Sequence, residues 1–247
     1  MDGRLEGRVV LVTGGNTGIG EAISVRLAAE GAAVGIGYFE DKARAERLAA
    51  DDRMQGRSVA VACDVTDEPS VSAALDDIES RLGSLTTLVN NAGVLVRRSF
   101  VDLDDETWES MVRVSLYGSF LCARLAIPRI LRGGGGSIVN MASELVGLGG
   151  PRLAPYVAAK AGVIGLTRSL AVEFGPEHIR VNAVAPGPTD TRMVDRDELS
   201  PRFIDTIPLR RIGQPEDVAA AVAFLCSDDA AWITGQVLGI NGGLVMT

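Results

Sequence analysis

The stretch VTGGNTGIG, residues 12–20, decides the fold. It follows the apolar run RVVLVT, residues 8–13, and opens an alanine-rich segment, EAISVRLAAE, whose apolar residues recur at three- and four-residue spacing. An ordinary turn could hold these glycines. Their place between an apolar strand and an amphipathic helix favours a phosphate-binding turn, in which glycine permits a tight backbone and the free N–H groups of the helix start attract a pyrophosphate.

Working outward, six further runs read as strands: AAVGIGY (32–38), SVAVACD (58–64), TTLVNN (86–91), SIVNMAS (137–143), IRVNAVAP (179–186) and GQVLGING (235–242). Helical segments such as VIGLTRSLAVEF lie between them. Alternation of this kind predicts a doubly wound α/β fold, one seven-stranded parallel sheet flanked by helices on both faces. No linker or composition shift divides residues 1–247, and GGGG at 133–136 spans only a tight turn, so a single domain is expected. From Pro186 to about Pro208 prolines and charges break any steady period. A stretch of that length is expected to form a substrate lid, around 188–208.

Composition narrows the function. With 47% hydrophobic and 23% charged residues, a net charge of −8 and one histidine, the 247-residue chain is a globular type unsuited to nucleic acid or anionic membranes. Those partners need a basic excess for attraction and counterion release. A small molecule fits better. Cys63, Cys122 and Cys226, odd in number and set in apolar surroundings, read as buried thiols in a reducing compartment, and no cysteine/histidine cluster points to a metal. His178 lies in a helix-to-strand connection and reads as a solvated loop residue. The N-terminal apolar run is too short for a signal or span, so a cytoplasmic location is expected.

The glycine spacing, Gly14, Gly18 and Gly20 after Thr13, is G-x-x-x-G-x-G, and with it the chain resembles the short-chain dehydrogenase/reductase family. CDV with Asp64, NNAG at 90–93, Ser143, YVAAK at 156–160 and PG at 186–187 follow in the family's order, each at the end of a predicted strand or shortly after it. Ligands in such sheets sit beyond the strand carboxyl ends. The resemblance covers essentially the whole chain and implies a Rossmann-type domain using NAD(P)(H).

It further implies cofactor contacts from Gly14, Asn16, Thr17, Gly18, Ile19, Gly20, Tyr38, Phe39, Asp64, Val65, Asn91, Ala92, Gly93, Tyr156, Lys160, Pro186, Gly187 and Thr189. Asp64 would meet the adenine amino group, although it could also cap the next helix. Thr189 would meet the nicotinamide carboxamide. NAD and NADP stay open. Tyr38 stands where NAD-specific members carry an aspartate, Thr17 and Phe39 stand where NADP-dependent members are often basic, and Glu40 and Asp41 would repel a 2′-phosphate. Lys42 and Arg44 would compensate only by turning inward from a solvated helix surface.

For the chemistry, Tyr156 and Lys160 fall four residues apart, on one helix face. Alone, such a pair reads as helix surface. With Ser143 it forms the family's reacting centre: Tyr156 as proton donor or acceptor, Ser143 orienting the substrate oxygen, Lys160 as the fixed positive charge favouring the phenolate. One residue departs from the pattern. Ser115, in VRVSLYG, stands where the family carries an asparagine, which puts the proton relay to the lysine in doubt.

Leu95, Val96, Leu145, Val146, Leu148, Met193, Val194, Leu199 and Phe203 are expected to line a mostly apolar pocket for a ketone or secondary alcohol. The chain end, ITGQVLGINGGLVMT, is similar to the 3-oxoacyl-carrier-protein reductases. Positions usually basic for carrier docking hold Gly134 and Glu177, so a small-molecule ketoreductase or alcohol dehydrogenase is expected first and the carrier-protein reductase second. A non-catalytic nucleotide-binding scaffold is the reading of another class. The resemblance also implies a homotetramer built on helices at 104–131 and 154–174 and on the C-terminal segment.

Overall fold

The computed structural model describes residues 3–194 and 199–246. Seven parallel strands form one sheet: β1 Val9–Val12, β2 Ala33–Tyr38, β3 Ser58–Ala62, β4 Thr87–Asn90, β5 Gly136–Met141, β6 Ile179–Pro186 and β7 Val237–Ile240. Their order is β3-β2-β1-β4-β5-β6-β7. The chain winds one way from β1 to β3 and the other way from β4 to β7, so the switch lies between β1 and β4, where Val10, Leu11 and Val12 pair with Thr87, Leu88 and Val89. A crevice for ligands forms at such a reversal.

Side-chain alternation builds the layers. Val10 and Val12 of β1 face one core with Val34 and Ile36 of β2, against Ile23 and Leu27 of α1 (Gly18–Ala29) and Val218 and Val222 of α9 (Pro215–Cys226). Val9 and Leu11 face the other, packed with Leu75 and Ile78 of α3 (Glu68–Leu82) and Leu121 and Ile130 of α5 (Gly118–Arg132). Both sheet faces are covered, which is why the strands read as continuous apolar runs. The remaining helices are α2 Lys42–Ala49, α4 Asp105–Val112, α6 Leu145–Leu148, α7 Ala154–Phe174 and α8 Pro201–Ile204.

Several ends differ from expectation for local reasons. The last strand is four residues long because Gly235 and Gly242 take positive φ angles of 72° and 64°, outside any strand. Asn91 donates its N–H to the Val89 carbonyl and turns the chain one residue after β4. The expected helix at 104–131 is α4 and α5 joined by a π-helical turn, Arg113–Tyr117. Asp105–Arg132 together is long and apolar enough to cross a membrane, yet half of its most apolar window is buried within the fold. The interval expected to be a lid holds α8 and a bridge from Thr189 to Gly213, while residues 195–198 lie outside the described residues. All three cysteines are buried and unbridged.

Candidate active site

The glycine loop owes its shape to close approach. Gly18 has φ +53°, and a methyl group on Gly20 would stand 2.1 Å from the Gly14 carbonyl oxygen. Any side chain there would force the turn open. Thr17, the N-cap of α1, is extended and makes no side-chain cap, so the first-turn N–H groups keep their donors for an anion. The residues present therefore fit a pyrophosphate.

Thr13 ties this loop to the turn after β4, its hydroxyl accepting from the N–H groups of Asn91 and Ala92 at 3.0 Å each. The Asn91 amide donates back to the carbonyls of Thr13 and Gly14. Asn91, Ala92 and Gly93 thus lie against the loop. Thr191 reaches the same place from beyond β6, 3.4 Å from a Gly18 methyl position.

Two expected details change. Asn16 is buried, and its amide donates to the Glu40 carbonyl, so the side chain fastens the loop to the turn after β2 instead of facing the crevice. Arg44 is not simply solvated. Its Nε donates to the Asn16 carbonyl at 2.8 Å and its Nη2 to Glu21 at 2.7 Å. The Glu21 carboxylate, which would repel a phosphate at the start of α1, is thereby paired. Asp41, in left-handed backbone with φ 58°, caps α2 through the Arg44 N–H and so sets Arg44 at that spot. Tyr38 is buried at the end of β2 and Phe39 is exposed. Asp64 accepts from the N–H and hydroxyl of Thr66, and Asp67 caps α3, so Asp64 shapes its own turn and is not the cap. Val65 is buried beside Gly118.

The reacting residues converge from β5, the π turn and α7. Ser143, Tyr156 and Lys160 are all buried. The Ser143 hydroxyl accepts from the Leu145 N–H at 3.2 Å and draws the Tyr156 phenol pKa down. Burial is the larger effect, and the phenol is raised overall. Lys160, expected to favour the phenolate, has its Nζ 5.8 Å from the Tyr156 ring centre and donates to the Met141 carbonyl at 2.6 Å, its own pKa lowered by burial to about 8.

Ser115 sits inside the π turn, fully buried, its hydroxyl without a partner among the described residues. A methyl group at Gly93 would lie 3.6 Å from both Ser115 Oγ and Lys160 Nζ, so the serine and the lysine face the same small volume. Widening a helix by one residue per turn commonly serves a functional site.

Pro186 and Gly187 end β6, and the Thr189 hydroxyl donates to the Gly187 carbonyl. Of the expected pocket residues, Leu95, Leu145, Val146, Val194, Leu199 and Phe203 are half-buried, and Val96, Leu148 and Met193 are more exposed. Ile19, in the first turn of α1, is partly buried and packs against the core. Sequence reasoning missed Glu144, which is buried directly after Ser143 with Oε2 unpartnered among the described residues and a carboxyl pKa raised by burial to about 7.

The family model described as enoyl-(acyl carrier protein) reductase matches residues 14–245. The 3-oxoacyl-[acyl-carrier-protein] reductase FabG of Staphylococcus aureus is 42% identical over 96% of this chain and 97% of its own. A short-chain type dehydrogenase/reductase of Picea abies is 38% identical over 98% of this chain and 93% of its own.

The chain belongs to the short-chain dehydrogenase/reductase family.

A solved structure described as a short-chain alcohol dehydrogenase from Sinorhizobium meliloti 1021 agrees, with a TM-score of 0.91, 38% identity and 97% of each chain covered. As a short-chain dehydrogenase/reductase, the protein is an NAD(P)-dependent oxidoreductase acting on CH–OH and C=O groups.

Proposed function

We propose that the protein interconverts a ketone and a secondary alcohol of a mostly apolar small molecule, with Ser143, Tyr156 and Lys160 as its reacting residues. The observation that carries this reading is the convergence of these three buried side chains, Ser143 hydrogen-bonded to the Tyr156 phenol and Lys160 Nζ 5.8 Å from its ring, at the same carboxyl end of the sheet as the glycine loop. When bound, the nicotinamide supplies or accepts the hydride. The Tyr156 phenol gives its proton to the carbonyl oxygen during reduction and its phenolate takes one during oxidation. Ser143 holds that oxygen by a hydrogen bond, and Lys160, anchored on Met141, places a positive charge behind the phenol. The glycine loop, Asp64, the Asn91–Gly93 turn and Thr189 are the chain's groups for holding the dinucleotide.

The half-buried Leu95, Leu145, Val146 and Phe203 support an apolar substrate. The 3-oxoacyl-carrier-protein reductase reading is supported by the name of the 42% identical relative, while exposed Gly134 and Glu177 supply no basic contact for an acidic carrier. A homotetramer fits the exposed Trp108, Tyr117 and Phe120 on α4 to α5 and Val172 on α7, and a cytoplasmic location fits the reading. The test is a fluorescence titration with NADH and NADPH, followed by turnover of free ketones and of a 3-oxoacyl thioester on carrier protein. Turnover of ketones supports the main reading; turnover of the carrier thioester alone replaces it with the second. Cofactor binding without turnover of either replaces both with a scaffold role.

A further inference from the structure

Between β4, β5 and α7, next to the reacting residues, the core is polar. Asn140 on β5 and Thr167 on α7 are fully buried, and Asn90, which pairs with Asn140 in the sheet register, is buried on β4. Three hydrogen bonds run through them in one direction. The Asn90 amide donates to Asn140 Oδ1 at 2.9 Å, the Asn140 amide donates to the Thr167 hydroxyl at 2.9 Å, and that hydroxyl donates to the Val163 carbonyl at 2.8 Å. Turning the Asn140 amide over would set its NH2 against the Asn90 NH2 and its oxygen against a hydroxyl already committed to Val163. Asn90 Oδ1 is left without a partner among the described residues. Apolar side chains of the same size would avoid that cost, so stability alone does not account for the polar layer.

Its neighbours show what the layer holds. Asn140 directly precedes Met141, whose carbonyl takes the Lys160 ammonium at 2.6 Å. Thr167 follows Lys160 by two turns of α7, and both side chains face the sheet along one stripe. β5 and α7 are therefore joined twice by side chains, Asn140 to Thr167 and Lys160 to Met141. Otherwise α7 presents small or apolar residues to the core: Ala159, Val163 and Ala171 are buried, and Ile164 packs on Ala142, Ala183 and Ala185. Apolar packing is non-directional and lets a helix slide along a sheet, whereas a hydrogen bond of fixed length does not.

We propose that Asn140 is a positioning residue, whose bond to Thr167 fixes α7 along β5 and so sets where the Lys160 ammonium stands behind the Tyr156 phenol. The inference rests on Lys160 being one of the reacting residues. Asn90 holds Asn140 from the other side, so the amide that grips Thr167 is itself fixed. Without the grip, packing still keeps α7 on the sheet, but the lysine loses its single defined place. A misplacement of about 1 Å at a reacting centre is costly to turnover, which gives the buried amide pair its return.

The test needs no substrate. The chain has two lysines, Lys42 and Lys160, so protein carrying 13C at lysine Cε gives two sites by NMR, and Lys42→Arg leaves Lys160 alone. With Lys160 held beside the Tyr156 ring, its two ε-protons should have different shifts, whereas the exposed Lys42 averages them. Equivalent ε-protons for Lys160 in the native protein overturn the proposal. Thr167→Val keeps the shape and removes the acceptor; it should reduce the separation by about half or more, and Thr167→Ser should restore it. An unchanged separation in folded Thr167→Val overturns the proposal. Ile130→Val, beside Gly136 at the far end of β5, should lose stability and leave the separation alone; an equal collapse there would show a general loosening and overturn it too. Should Thr167→Val not fold, Asn140→Leu combined with Thr167→Val removes both partners, leaves the Asn90 amide on the Ser119 carbonyl, and is read in the same way. A protein that turns over no ketone still gives these spectra, so failure of the proposed function and failure of this inference are told apart. Where turnover is found, Thr167→Val should lower kcat with substrate KM little changed.

Discussion

Lys160 Nζ donates to the main-chain carbonyl of Met141 at 2.6 Å, locking the lysine of α7 to the last residue of β5. The bond fixes where the positive charge stands, and burial sets how readily it is held. Lys160 is lowered from 10.5 to about 8. Between those values the unfolded chain binds more protons than the folded one, so folding stability rises with pH across that window. The gain of the native protein relative to Lys160→Met, which lacks the charge, should approach about 3 kcal/mol over the interval. Urea unfolding of both proteins at a series of pH values checks it; parallel curves from pH 8 to 10.5 would show that Lys160 is not depressed.

The unpartnered hydroxyl of Ser115 predicts a separation of stability from turnover. Removing an unsatisfied buried hydroxyl removes a penalty, so Ser115→Ala should be as stable as the native protein within about 1 kcal/mol. If that hydroxyl helps return protons to Lys160, the same variant should lose turnover several-fold, about 3- to 10-fold, and show a larger solvent isotope effect. Ser115→Asn, restoring the family's residue, should raise or hold turnover. Equal rates for all three proteins, with chemistry limiting, would remove Ser115 from the relay.

Arg44 offers a test of cofactor recognition. Its guanidinium is engaged by the Asn16 carbonyl and by Glu21, so it acts on the shape of the glycine loop instead of standing free for a 2′-phosphate. Arg44→Ala should weaken NADH and NADPH alike, by factors within about threefold of each other. Selective loss of NADPH binding, tenfold or more, would mean that Arg44 leaves Glu21 to meet the phosphate.

Much of this was legible in the chain. IRVNAVAP at 179–186 is β6 from end to end, and VIGLTRSLAVEF, read as helix from its apolar spacing, lies in α7, whose bounds of 154–174 are those the family resemblance implied. The glycine loop was legible because a methyl group at 20 would strike the Gly14 carbonyl and Gly18 takes the positive φ that favours glycine. What the sequence hid depends on contacts between distant segments. Arg44 turns inward because Asp41 takes a left-handed backbone and Glu21 waits on α1. The π turn around Ser115 has no compositional mark, and Glu144 reads as a strand-end turn residue until Gly187 and Asn241 are seen against it.

The central claim, that Tyr156 carries the proton in a site built with Ser143 and Lys160, is tested most directly by Tyr156→Phe. One hydroxyl is lost and the ring stays buried in place. Nicotinamide fluorescence should show cofactor binding within about threefold of the native protein, while turnover of any ketone the native enzyme reduces should fall about 100-fold or more. A Tyr156→Phe protein that binds cofactor and still reduces that ketone at near-native rate would contradict the account.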